Sequence, residues 1–298
     1  RRQQVAEPVL GLVTEGVSDA ARQAMAAIFD DVIEVESIFV PHRRRQQRQD
    51  RPYFFPRLNV LRLGADGDLG YELDKVVVID ADVLPLRDYA RLFALPTPAG
   101  IINEHKSHVV ETDDAGAHVV SEHTRHTGEW RWHRIYADCV HGEPIPRELT
   151  DRVVTQRGNM GINGSLFVLE PSMAELDEIR RDIGRPEVAQ LVGDHFDWPD
   201  MQYVTMRWSG QWHNIDARFS GLSGYPSTDL LWGTHFAGFK PWYFQRRQAM
   251  QRYTRFEDFQ LWFRVFREMV ESYPQLTEMS KLRRLLDDVH ATLGERSG

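Results

Sequence analysis

Apolar residues along the chain come in short runs separated by polar turns. "VLGLVT" (9–14) is the first, and its length and turn-rich flanks predict a buried strand. "SDAARQAMAAIF" (18–29) follows. Ser18 is a favourable N-cap, Asp19 suits a first turn, and Ala21, Met25 and Ile28 recur at helical spacing. "DVIEVESI" (31–38) predicts a second strand and "VVVI" (76–79) a third. A helix is predicted at "RDYARLF" (87–93) and a short strand at "AGIIN" (99–103). Strands alternating with helices predict an α/β layer around a mixed, mostly parallel sheet flanked by helices.

Residues 103–160 break that rhythm. This polar stretch holds seven of the chain's twelve histidines (His105, His108, His118, His123, His126, His133 and His141), together with Trp130 and Trp132. It predicts a long insertion over the sheet edge with little regular structure, of the kind that often carries function. Order returns with "INGSLFVLEPS" (162–172), a strand running into a helix that starts at Ser172. Beyond residue 245 the chain is helical in pattern. Phe256, Phe259, Phe263, Phe266 and Val270 form one apolar stripe, which predicts core packing. The domain organisation expected is one α/β domain over 1–245, with an insertion at about 103–160, and a helical extension over 246–298 packed on it.

Composition adds exclusions. Apolar content is ordinary for a globular chain, and no apolar run approaches the length of a membrane span. A net charge of −8 argues against nucleic acid as the main partner. The basic run "PHRRRQQR" (41–48) predicts a solvated loop. Cys139 is the only cysteine, which excludes an internal disulfide and fits a reducing compartment, so a cytoplasmic location is expected.

The candidate chemistry starts at "KVVVIDADVLPL" (75–86). An extended chain points residues i and i+2 to one side, so Asp80 and Asp82 can aim both carboxylates at one point beyond a strand end. Paired carboxylates there suit a hard divalent cation, Mg²⁺ or Mn²⁺, which can neutralise charge on a diphosphate. Asp66-Gly67-Asp68 has the same spacing, but glycines flank it and no apolar strand precedes it, so it predicts a turn. His235 opens "HFAGFKPW" (235–242); an imidazole beside carboxylates shifts preference towards Mn²⁺. Gly238 permits close approach of a ligand, and Lys240 is a compact cation suited to phosphate.

These stretches, in this order, resemble the glycogenin-like family 8 of glycosyltransferases. "LVTEGVSDAARQAMAAIFDDVIEVESI", "DKVVVIDADVLPLRDYARLF", "INGSLFVLEPS", "PDMQYVTMRWSGQWHNIDARFS" and "THFAGFKPW" carry the likeness, spread over 9–243. The resemblance implies a GT-A fold, a UDP-sugar donor, Mn²⁺ with Mg²⁺ as the alternative, and transfer with retention of configuration. It implies Asp80 and Asp82 as the aspartates of a DxD motif, with Ala81 between them at the donor. It makes His235 the third metal ligand, and Gly238 and Lys240 the diphosphate contacts. Asn163, beside Gly164, falls at the sugar site and Asp200 near the transferred sugar, and these two are the catalytic candidates, Asp200 as nucleophile or as the group that orients the sugar. Arg57 stands where the family usually has a donor-contacting lysine. Glucose is the favoured sugar, with an unidentified glycan, protein or small acceptor, and a homodimer is allowed for.

Departures from the pattern point to an alternative, a degenerate fold that binds sugar nucleotides without turnover. Ser165 replaces a small residue, often Gly; Met201 follows Asp200 where glycogenin has Gln; and Arg57 replaces Lys. The family's first, uridine-binding strand is expected to be missing, which would leave the nucleotide site incomplete. The histidine-rich insertion, longer than glycogenin's equivalent, suggests a different acceptor. His105/His108 and His123/His126 have i, i+3 spacing but lack cysteine co-ligands, so an acceptor-facing loop is expected rather than a zinc site. Asp138 or a tryptophan there is expected to touch a glycan.

Overall fold

The structure, a computed structural model, describes residues 5–38, 55–222, 225, 227–238, 240–243 and 253–294. The basic run at 41–48 lies outside them. Strands β1 (Leu10–Val13) and β2 (Asp31–Glu34) pair in parallel, joined by helix α1 (Asp19–Ala26). Ser18 caps that helix by accepting the Ala21 N–H through its hydroxyl at 3.4 Å. Gly11 lets the segment close onto β1, since a Cβ there would stand 2.6 Å from the Phe29 ring and 2.7 Å from Met25.

A 3-10 stretch over Phe55–Leu63 leads to β3 (Val76–Ile79), a turn and β4 (Val83–Pro85). The helix expected at "RDYARLF" is a 3-10 turn, Ala90–Ala94. Its N-cap Tyr89 makes no side-chain capping bond, and Pro96 and Pro98 follow closely, so there is no room to propagate an α-helix. Strand β5 (Ala99–Ile102) is buried throughout.

The insertion is more ordered than its sequence pattern predicts. It holds a small hairpin, β6 (Glu111–Thr112) with β7 (His118–Val119), and helices α2 (Glu122–Thr127), α3 (Arg131–Ile135) and α4 (Arg147–Thr155). These elements are too short to show a sustained period, so local caps and burial define them instead. Ser121 caps α2 and Gly128, at φ 74°, ends it. Trp132 is buried and donates its indole N–H to the Ile102 carbonyl at 2.6 Å.

Strand β8 (Ile162–Leu169) follows, then helices α5 (Met173–Ile183), α6 (Pro186–Gln190) and α7 (Pro199–Arg207). Short strands β9 (His213–Asn214), β10 (Gly221–Leu222) and β11 (Gly233–His235) come next, and helices α8 (Glu257–Ser272) and α9 (Ser280–Leu293) complete the order.

The central sheet has the order β3-β8-β5-β9, and a second sheet the order β10-β11-β4. The sheet is mixed, as expected, but its centre is not parallel: β8 runs antiparallel to both β3 and β5, and only β5 and β9 are parallel. The insertion explains this. It leaves β5 and returns at the same end of the sheet, where Ile102 pairs with Ile162, so β8 must run back. Strand β3 pairs with β8 on one side and, among the described residues, with no strand on the other.

One core fills the space around the central sheet. A second gathers Phe259, Phe263, Phe266 and Val270 of α8 with Phe236, Leu276 and Val289, and Ala24, Ala27 and Ile28 of the α1 segment pack against it. The apolar stripe is therefore core. No helix among the described residues is long and apolar enough to cross a membrane.

Candidate active site at the seam of two sheets

Asp80, Ala81 and Asp82 join the two sheets. The backbone N–H of Asp80 extends the central ladder by donating to the Ser165 carbonyl at 3.0 Å, and the Val83 N–H donates to the Asp80 carbonyl at 2.9 Å. The Asp82 carbonyl accepts the Phe236 N–H at 2.8 Å, which ties it to the end of β11. The extended backbone expected over 80–82 is thus a turn. The carboxylates still converge, because each is anchored to a different sheet. His235 ends β11 directly opposite Val83.

One ligand atom from each of Asp80, Asp82 and His235 lies within 4.8 Å of the others. Among the described residues this is the one group of three or more His, Cys, Asp or Glu side chains so placed. The Nε2 of His235 is 3.4 Å from Asp82 Oδ1. Two carboxylates and an imidazole make a donor set that fits Mn²⁺. The Asp66/Asp68 pair is employed elsewhere: Asp66 accepts the Met173 N–H at 3.0 Å, and Asp68 takes a two-point ion pair from Arg62.

Two cations flank the carboxylates. Lys240 is ion-paired with Asp82 through Oδ2. Arg57, from the 3-10 stretch, lies 3.5 Å from Asp80 Oδ1 and 3.4 Å from Asp200 Oδ2, and donates to the Gly164 carbonyl. A side chain at Gly164 would collide with that guanidinium, whose Nη1 stands 2.5 Å from the position of a Cβ. Burial raises the Asp80 carboxyl, with Asp82 and Asp200 adding to the rise against Arg57 and His235. Burial would also raise Asp82, but the hydrogen-bonded His235 and Lys240 outweigh it and hold that carboxyl well below the usual range. For Arg57, burial acts downwards and the charges of Asp80, Asp200 and Asp82 raise it.

Asp200 sits in the first turn of α7 and is buried. Asn163 lies on β8, where its Oδ1 accepts the Ser165 N–H at 3.0 Å. Its amide NH₂ and the second lone pair of Oδ1 remain to meet a ligand. The exposed Ala81 lies within the turn, and Gly238 has open space where a Cβ would stand. Met201 packs beside Gly164, and Ser165 hydrogen-bonds Ser220, so neither departure from the family pattern is left without a place.

The structure adds a residue that sequence reasoning missed. Asn103 directly follows β5, at the same sheet end as Asp80, because β3 and β5 both run antiparallel to β8. It is buried, yet neither side-chain polar atom has a hydrogen-bond partner. Only its place at a strand's carboxyl end could have flagged it.

The histidine-rich segment forms no metal cluster among the described residues. His105 and His108 meet edge-to-face at 5.1 Å, while His133 accepts the Trp130 N–H at 2.9 Å and reaches Asp216 Oδ2 at 2.9 Å. Trp130 and Trp132 are fully buried, so the expected contact of these rings with a glycan is not made; they are core residues that fasten the insertion down. Asp138 is exposed.

No family model matches the chain. It is similar to Uncharacterized protein R707 of Acanthamoeba polyphaga mimivirus, 21% identical over 243 residues, covering 78% of this chain and 70% of that protein. Among solved structures it is similar to the galactosyltransferase LgtC in complex with donor and acceptor sugar analogs. That likeness has a TM-score of 0.46 at 14% identity and covers 80% of each chain. The functional reading rests on the site itself.

Proposed function

We propose that this chain is a metal-dependent, retaining glycosyltransferase that moves a hexose, glucose foremost, from a UDP-sugar to a glycan, protein or small acceptor. The observation that carries the reading is the convergence of Asp80, Asp82 and His235 within 4.8 Å, beside Lys240 and Arg57. The family resemblance in the order of the motifs supports it. Asp80, Asp82 and His235 would hold Mn²⁺, or Mg²⁺ in its place, which supplies positive charge against a departing diphosphate.

The chain's own groups take the remaining roles. Lys240 is the cation free to exchange one carboxylate oxygen for a diphosphate oxygen, next to a glycine that leaves room for the approach. Arg57 holds Asp80 and Asp200 in fixed relation. Asp200, its Oδ2 beside Arg57, is the carboxylate that meets the transferred sugar, as nucleophile or as the group that orients it. Asn163 donates to the sugar.

The decisive experiment incubates the full chain with Mn²⁺ and a panel of UDP-sugars and scores UDP release. Release with one or more donors, lost on chelation, is expected. Tight donor binding without any release would replace this reading with that of a non-catalytic sugar-nucleotide-binding module.

A further inference from the structure

The three ligand residues come from two sheets, and something must hold those sheets in register. Asp80 belongs to the central sheet, through its N–H on the Ser165 carbonyl. Asp82 and His235 belong to the second sheet, through the Phe236 N–H and the pairing of His235 with Val83. The chain links the two sheets by the turn 80–82, which carries two carboxylates side by side, and by the segment 215–220 between β9 and β10.

A side-chain link also joins the two sheets. The Ser165 and Ser220 hydroxyls hydrogen-bond at 2.6 Å, and both residues are almost fully buried, at 1% and 2% exposed. Ser165 is the residue whose carbonyl holds Asp80. Ser220 immediately precedes β10, whose Leu222 pairs with His235. The hydroxyl pair therefore joins the residue that fixes one ligand to the strand that flanks another. Breaking it would strand a polar group in a dry seam, so the tie resists being opened.

We propose that Ser165 and Ser220 are positioning residues that set the spacing of Asp80 against Asp82 and His235 for metal binding. The inference rests on the metal reading above and adds a latch built from a position where the family pattern has a smaller residue. A metal site tolerates ligand displacements of only a few tenths of an ångström, so a small relaxation of the seam costs affinity.

The test titrates Mn²⁺ alone into the full chain and follows free Mn²⁺ by electron paramagnetic resonance. Thermal melts in chelator report the fold independently. Ser165→Ala and Ser220→Ala should each weaken Mn²⁺ binding about three- to ten-fold, the size of one lost buried hydrogen bond. The double variant should bind no more weakly than the worse single, because both remove one bond. Ser220→Thr, which keeps the hydroxyl, should retain most of the affinity. Wild-type affinity in both alanine variants, or multiplying effects in the double, overturns the proposal. If alanine leaves the chain unfolded, Ser220→Cys keeps the volume with a weaker bond: reduced affinity supports the latch and unchanged affinity overturns it. Failure of the wild-type chain to take up Mn²⁺ is a different result, which sinks the metal reading and the latch with it.

Discussion

Asp82 stands between an imidazole and an ammonium, and that placement sets what its loss should do. Asp82→Asn keeps the volume but leaves Lys240 and His235 facing a neutral amide. Mn²⁺ binding by titration should become undetectable and UDP release should fall at least about a hundred-fold, the scale of losing one electrostatic stabiliser. Near-normal turnover in that variant would contradict the assignment of the site. Arg57→Lys tests geometry at constant charge. One guanidinium reaches Asp80, Asp200 and the Gly164 carbonyl, which an ammonium on a thinner stem cannot span. Turnover should drop about ten-fold or more while Mn²⁺ affinity moves far less, and equal losses in both would show Arg57 to be part of the metal site. The candidate group of Asp80, Asp82 and His235 was legible from residue type, the spacing of the two aspartates and the strand before them. Asn103 was not, because an asparagine after an apolar run is common and only its orphaned, buried amide distinguishes it.

Short strands and capped helices were legible where the signal is local. Ser18 and Ser172 mark helix starts, and "VVVI" forms the strand expected of it. The insertion's helices were hidden because they are held by contacts distant in sequence, such as Trp132 on Ile102 and His133 on Asp216. The stripe on α8 was legible as core, but not what it supports. Phe259 packs edge-on against Phe236 at 5.5 Å, and Phe236 directly follows His235. The C-terminal helices thus buttress the strand that carries His235. Phe263→Ala, at a fully buried position of that core, should cost about 3–5 kcal/mol in chemical denaturation. It should also weaken Mn²⁺ binding in the population that remains folded. A loss near zero would mean that α8 is not part of the cooperative unit.

At the scale of the whole molecule, the meeting of two sheets at one turn was not legible, since ladder partners such as Val83 and His235 lie far apart in the chain. Nor was the antiparallel β8, which depends on where a long insertion returns. The same long-range economy governs how the insertion is held, and Asp216 is its anchor. It is buried, it receives His133 at 2.9 Å, and Arg218 donates to both of its oxygens at 2.9 and 2.8 Å. Burial would raise its carboxyl, but His133 and Arg218 outweigh that and hold it well below the usual carboxylate range. A carboxyl depressed on folding stabilises the native state fully above its unfolded value, about 3.9, and loses that contribution as pH falls below it. The denaturation midpoint of the wild-type chain should therefore begin to decline near about pH 5 and go on declining below about pH 3, towards the depressed folded value. Asp216→Asn should lower stability at neutral pH and flatten that decline, since the amide has no proton to take up. A decline of unchanged steepness in the variant would place the acid-sensitive carboxylates elsewhere, and the insertion would then need another anchor.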